Sequence, residues 1–267
     1  MSSAVHRSAR ITCPTRSERA ADHPGIEWRP PVLRGPSGRK RETCWGFLPV
    51  NSGDNEWDRL ARLYNLQVWL ERPALAVAAD LLDLSPGERL LDVGTGTGAF
   101  LRELAGRTPR FAQAVGVDSS ARMLSRAGAL PRGWRLVNGD ARALPFPDAS
   151  FDAASAAYLL HVLTDDELAR VLDELHRILV PAGRLVTVTP TTPRSAAARP
   201  YERIVHSLAR MWPAAFAGLR PFDATTPLRR AGFELTSGCY VSRGYPSLCL
   251  LSVATSPTSI PSRANAP

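Results

Sequence analysis

The chain has 267 residues, 44% of them hydrophobic, which is enough for one substantial domain with tails. The net charge of +8 is unevenly placed: residues 1–50 hold nine Lys or Arg against four Asp or Glu, and the remainder holds 24 against 21, so the body is only mildly basic and nucleic acid is not an expected partner. No run approaches the ~20 apolar residues of a membrane span, no apolar signal core follows Arg7 and Arg10, and Cys13, Cys44, Cys239 and Cys249 lack the spacing of a zinc site or a disulfide framework, which together make the cytoplasm the expected location.

Residues 1–50 are expected to be a disordered basic leader, because Pro14, Pro24, Pro30, Pro31, Pro36 and Pro49 interrupt any apolar period and little surface is available to offset ordering entropy. No methionine lies between Met1 and Met123, so an alternative start at Val50, which would leave the leader outside the native protein, is carried as a second reading. A domain is expected over 51–254 and a disordered tail over 255–267. Trp57, Leu60, Ala61, Tyr64 and Val68 recur at helical spacing; after a break at Pro73 a second helix is expected through Leu75, Val77, Ala78, Leu81 and Leu82.

Leu90-Leu91-Asp92-Val93-Gly94-Thr95-Gly96-Thr97-Gly98-Ala99-Phe100 reads as a buried strand ending near an acid, a glycine turn, and a helix. Three alternate glycines allow a tight turn, close approach of a ligand, and free N–H groups at a helix start. Gly94, Gly96 and Ala99 also satisfy the G-x-G-x-x-G/A pattern of dinucleotide-binding proteins, and Asp92 separates the two readings. A buried acid requires a polar partner, and it would repel a pyrophosphate. The stretch resembles motif I of the class I S-adenosylmethionine-dependent methyltransferases, whose methyl donor carries an ammonium. That resemblance implies a doubly wound, seven-stranded, mostly parallel α/β sheet, Rossmann-like, with an antiparallel final hairpin. It also implies S-adenosylmethionine as cofactor, and Asp92, Gly94, Thr95, Gly96 and Gly98 in its site.

Strand and helix then alternate, as in a parallel sheet wound on both faces. The second strand, Ala114 to Asp118, ends in an acid placed to accept from a ribose, with Ser119 beside it and Ser119-Ser120 capping the next helix. The third strand, Trp134 to Val137, leads to Asp140-Ala141; the resemblance implies that this acid accepts from the adenine amine and that the Ala141 amide meets a ring nitrogen. The run Leu144 to Asp152 is similar to the segment before the fourth strand in the family that includes ubiquinone and menaquinone C-methyltransferases. That strand, Phe151 to Ala156, precedes the loop Ala157-Tyr158-Leu159-Leu160-His161, which faces the methyl group where substrates enter. Thr164 and Glu167 form a capping box for a helix carrying Leu168, Val171, Leu172, Leu175 and Ile178 on one face. A fifth strand over 185–189, a basic and aromatic stretch over 190–227 with a helix near Tyr201 to Trp212, and closing strands near 232–235 and 248–251 complete the chain.

Methyl transfer needs alignment, exclusion of water and, for some acceptors, removal of a proton. Ser155-Ala156-Ala157-Tyr158 occupies the place where amino methyltransferases of this fold carry Asp/Asn-Pro-Pro-aromatic, and no Pro-Cys nucleophile stands there. The expectation is metal-independent transfer to a small-molecule acceptor, acidic or aromatic in view of the 190–227 stretch. His161 is the candidate base and Tyr158 its companion. Two alternatives stand beside it: a nicotinamide-dependent oxidoreductase using the same turn, and a non-catalytic S-adenosylmethionine-binding protein. The acceptor, the methylated atom and the oligomeric state are not specified.

Overall fold

In the computed structural model the described residues are 64–107, 113–192 and 221–255. They contain helix α1 (Tyr64–Leu82), strand β1 (Arg89–Val93), α2 (Ala99–Ala105), β2 (Gln113–Asp118), α3 (Ala121–Leu124), β3 (Arg135–Asn138), β4 (Phe151–Ala157), α4 (Asp165–Ile178), β5 (Leu179–Pro190), α5 (Thr225–Arg230), β6 (Phe233–Val241) and β7 (Ser247–Ala254). The strands form one sheet in the order β3-β2-β1-β4-β5-β7-β6. The first five run parallel, and β7 enters antiparallel between β5 and β6, as expected from the sequence. The basic leader, Trp57 to Ala61, the helix near Tyr201 to Trp212 and the tail beyond Thr255 lie outside the described residues.

Two apolar layers sandwich the sheet. α1 and α2 bury Leu75, Ala78, Leu81, Leu82, Phe100, Leu101 and Leu104 against Leu90, Val186, Val188 and Leu251. On the opposite face α4 and α5 press Leu168, Val171, Leu172, Leu175, Ile178 and Leu228 against Leu91, Val93, Leu185 and Leu250. Both faces of β1 are therefore covered, and Leu90, Leu91 and Val93 are fully buried, the pattern of a central parallel strand.

The expected break at Pro73 does not occur: α1 runs through it. Proline removes one N–H and crowds the preceding turn, which in solution ends a helix. Here Glu71, Ala74 and Leu75 on either side are buried, so packing against the sheet holds the helix across the defect. The Leu144 to Asp148 loop is held from α4. Arg177 donates to the carbonyls of Leu144 (3.1 Å) and Phe146 (2.8 Å), and Glu174 accepts from Leu144 N at 2.6 Å. Phe146 meets Phe151 edge to face at 5.1 Å, which seats the loop at the start of β4.

Candidate active site

Strand β1 ends at Val93 and turns through Gly94, Gly96 and Gly98, whose φ values of 70°, 54° and 74° lie where a side chain is strained. A Cβ on Gly94 would also press on the Leu159 side chain at 3.1 Å, so the loop after β4 closes directly over the turn. The expectation of free amides is corrected at four positions. Gly94 N and Thr95 N donate to Val117 O, Gly98 N donates to Thr95 O, and Gly96 N donates to Asp118 Oδ2 at 2.8 Å. The turn folds back onto the end of β2 and satisfies itself. What glycine supplies is close approach of bare backbone.

Asp92 is 1% exposed. Parallel register sets it opposite Ser155 on β4 and Gly116 on β2. Ser155 Oγ donates to its Oδ1 at 2.7 Å and Thr95 Oγ1 to its Oδ2 at 2.6 Å. Both partners are neutral. Burial therefore dominates over these hydrogen bonds and raises the Asp92 carboxyl from 3.8 to about 6. A carboxylate held this way favours a cation arriving beside it. Thr97 Oγ1, in the same turn and 1% exposed, has no hydrogen-bond partner among the described residues.

Gly116 escaped the sequence reading. A Cβ there would lie 2.7 Å from Thr95 Oγ1, 2.8 Å from Leu136 Cδ2 and 2.9 Å from Leu101 Cδ1. Its bareness makes the room in which Thr95 reaches Asp92. The available signal was a glycine inside an apolar strand, which marks close approach of another group.

At the end of β2 the Asp118 carboxylate bridges two elements: Oδ2 takes the Gly96 amide, and Oδ1 takes the Ser120 amide at 2.8 Å. Ser120, rather than Ser119, caps α3, its Oγ accepting from Met123 N at 3.1 Å. Asn138, a second residue that sequence reasoning passed over, donates from Nδ2 to the carbonyls of Asp118 and Ser119 at 2.9 and 3.0 Å. At the end of β3, Asp140 and Ala141 follow the buried Gly139. The Asp140 carboxyl is held below its ordinary range, chiefly by hydrogen bonds from the Arg142 side chain.

Tyr158 follows β4 with φ 54° and its N–H on Val188 O. Its hydroxyl lies 2.7 Å from Ser247 Oγ, and Ser247 Oγ donates to Tyr245 O at 2.9 Å. Because the serine proton is committed to that carbonyl, Tyr158 is the donor between them. Burial, with the Glu71 carboxylate nearby, pushes the tyrosine hydroxyl well above its ordinary value, so it stays protonated. His161 sits in a single 3-10 turn (Leu160–Val162), 2% exposed, with its ring edge-on to Tyr158 at 6.3 Å. His176 is separate from the site: its Nε2 pairs with Thr255 O at 3.0 Å and its ring packs on Phe233.

The named residues thus fall along one edge of the sheet, at the carboxyl ends of four adjacent strands. Asp140 and Ala141 stand on β3, Asp118 and Ser119 on β2, Asp92 and the glycine turn on β1, Tyr158 and His161 on β4. Three strand spacings cover roughly 14 Å, so one extended ligand can touch all four.

Comparison with known proteins gives the likeness. Residues 90–183 match the family described as "Methyltransferase domain". Over those residues the chain is similar to the class I S-adenosylmethionine-dependent methyltransferases. Similar curated proteins include the demethylmenaquinone methyltransferase of Deinococcus radiodurans, 43% identical over 124 residues, 45% of this chain and 50% of that protein. Another is the ubiquinone/menaquinone biosynthesis C-methyltransferase UbiE of Geobacter sulfurreducens, 35% identical over 145 residues, 52% of this chain and 55% of that protein. The chain spans about half the length of the curated relatives it matches. A solved SAM-dependent methyltransferase from Thermotoga maritima shares the fold, with TM-score 0.55 at 24% identity over 75% of this chain and 98% of that one. S-adenosylmethionine is the cofactor such a domain takes, and the residues fit it: a buried acid with no cationic partner among the described residues, an acid at the second strand end, and bare backbone between them.

Proposed function

We propose that this chain transfers a methyl group from S-adenosylmethionine to a small aromatic acceptor of the hydroquinone type, by in-line displacement and without a metal. The observation that carries the reading is the order of acids along the sheet edge, Asp140, Asp118 and Asp92, which follows the adenine, ribose and ammonium of the methyl donor. The cofactor supplies an electrophilic methyl on a sulfonium. Asp118 accepts from the ribose hydroxyls while its existing bonds to Gly96 and Ser120 keep it in place. Asp92, with Thr95 and Ser155 donating to it, faces the ammonium, and Asp140 with the Ala141 amide takes the adenine edge.

The acceptor enters beside the loop after β4. Of the curated relatives above, one is named a demethylmenaquinone methyltransferase and the other a ubiquinone/menaquinone biosynthesis C-methyltransferase, and alkylating a hydroquinone ring carbon is easiest once a phenolic proton leaves. Imidazole exchanges protons near neutral pH, so His161 is the base in this reading. Tyr158, whose proton is engaged by Ser247, acts as a fixed wall that orients the acceptor rather than as a proton carrier.

Titration calorimetry of the full chain tests the cofactor reading. Micromolar binding of S-adenosylhomocysteine, no binding of NAD, and a loss of about tenfold or more in Asp118→Ala are expected; NAD binding alone would return the turn to the dinucleotide reading. Incubation with S-adenosylmethionine and a short-chain demethylmenaquinol, followed by mass spectrometry for one added methyl on carbon, tests the acceptor. Methylation on oxygen would refute the ring-carbon assignment.

A further inference from the structure

Arg142 is wrapped around Asp140. Its own N–H donates to Asp140 Oδ1 at 2.8 Å, its Nε lies 3.0 Å from both carboxylate oxygens, and Nη2 donates to Oδ2 at 2.7 Å. The remaining arm, Nη1, reaches Glu167 Oε1 at 2.8 Å. The other glutamate oxygen is anchored in turn: Oε2 accepts from Thr164 N at 3.1 Å and from Thr164 Oγ1 at 3.0 Å. A chain of charge-assisted bonds therefore runs from the end of β3 to the first turn of α4. All three charged side chains are partly exposed, about a third or more of each. Ion pairs in such a setting contribute little to stability, so the arrangement calls for another use.

Counting acceptor positions supplies one. An ionised carboxylate offers about four lone-pair directions. Arg142 brings three protons to them, its N–H on Oδ1, Nη2 on Oδ2 and a single Nε proton shared between both oxygens. Three protons over four directions leave capacity for one further donor, on a carboxylate held at both oxygens. We propose that Arg142 is a positioning residue for base selection: it locks Asp140 so that a single acceptor site faces the purine, with Glu167 bracing the arginine from behind. Such a site accepts one N–H from the amine of adenine and repels the carbonyl oxygen that hypoxanthine presents at the same place. This inference rests on the reading of Asp140 as the adenine acceptor.

The test compares two ligands, S-adenosylhomocysteine and S-inosylhomocysteine, by calorimetry on the full chain. Wild type is expected to favour the adenosyl compound by about tenfold or more, since an oxo group leaves the acid facing an acceptor. Arg142→Ala is expected to cut that preference to about threefold or less through weaker adenosyl binding, with inosyl affinity unchanged within about twofold. The unchanged inosyl affinity doubles as a check that the variant is folded. Arg142→Lys, which keeps the charge and loses the fork, is expected to resemble Arg142→Ala. Equal loss of both ligands, an undiminished preference, or tighter adenosyl binding once the arginine is gone would each overturn the positioning role. Asp140→Ala separates the layers: a preference that survives in Asp140→Ala removes the adenine reading itself, whereas a preference lost there and kept in Arg142→Ala removes only the role of the arginine.

Discussion

Asp92 makes this fold less stable than it needs to be, and the cost can be read as a function of pH. Its carboxyl rises from 3.8 to about 6 in the folded protein, mainly because burial disfavours the charge. Between these values the folded state holds a proton that the unfolded state has released, so stability falls as pH rises from about 4 to about 6 and is level above. The full shift corresponds to roughly 3 kcal/mol. Asp92→Asn removes the charge and keeps an oxygen for Ser155 or Thr95, while one of those hydroxyls must turn to accept. Recovery of about 1–3 kcal/mol is expected, which is roughly 3–9 °C in Tm for a domain of this size. Calorimetric melts of the ligand-free variant and wild type across pH 4 to 8 should show Tm curves that diverge up to about pH 6 and then run parallel, with the variant higher. The same variant should bind S-adenosylhomocysteine about tenfold or more weakly at pH 8, where the wild-type acid is charged. A Tm difference independent of pH, or a destabilised variant at pH 8, would refute the argument that burial of a charge dominates this site.

Gly116→Ala forces a methyl into three contacts below 3.0 Å, with the glycine turn, β3 and α2; destabilisation of about 1–3 kcal/mol and weaker S-adenosylhomocysteine binding are expected by thermal melts and calorimetry. Gly244→Ala drives a Cβ into Leu70 O at φ 73°, so the β6–β7 loop must leave α1; a Tm drop of about 4 °C or more is expected. Tyr158→Phe keeps the ring and removes a hydroxyl that only faces Ser247, so kcat should fall less than about threefold, whereas His161→Ala should lower kcat about a hundredfold. Steady-state assays on the identified acceptor decide this pair, and a larger loss from Tyr158→Phe would overturn the wall role and make the tyrosine a proton carrier.

The sheet is legible because its strands are apolar runs separated by turn residues, and the first three reach an acid or a glycine at their carboxyl ends. The capping box of Thr164 and Glu167 is present as read, with both reciprocal bonds made. The closing hairpin was underestimated in length: Phe233–Val241 and Ser247–Ala254 run well past the apolar cores seen in sequence. Ser237, Gly238 and Ser252 break the alternation there, and cross-strand pairing rather than local preference carries the strands through them. Pro73 misled for the same reason, since local chemistry favours a break and burial on both sides does not.

The glycine turn shows where motif reading stops. Its spacing announced a ligand site, and the inferred mechanism was free amides offered at a helix start. Yet α2 has only seven residues, and the amides of Gly94, Thr95, Gly96 and Gly98 are used within the protein. What the three glycines deliver is a turn flat enough for Asp118 to hold its middle and Leu159 to lie over its start. In the proposed reading, recognition passes to the side chains on neighbouring strand ends. The same logic explains why Gly116 and Arg142 were invisible beforehand. One matters through a neighbour it makes room for and the other through a neighbour it holds, and neither relation is a spacing in the sequence.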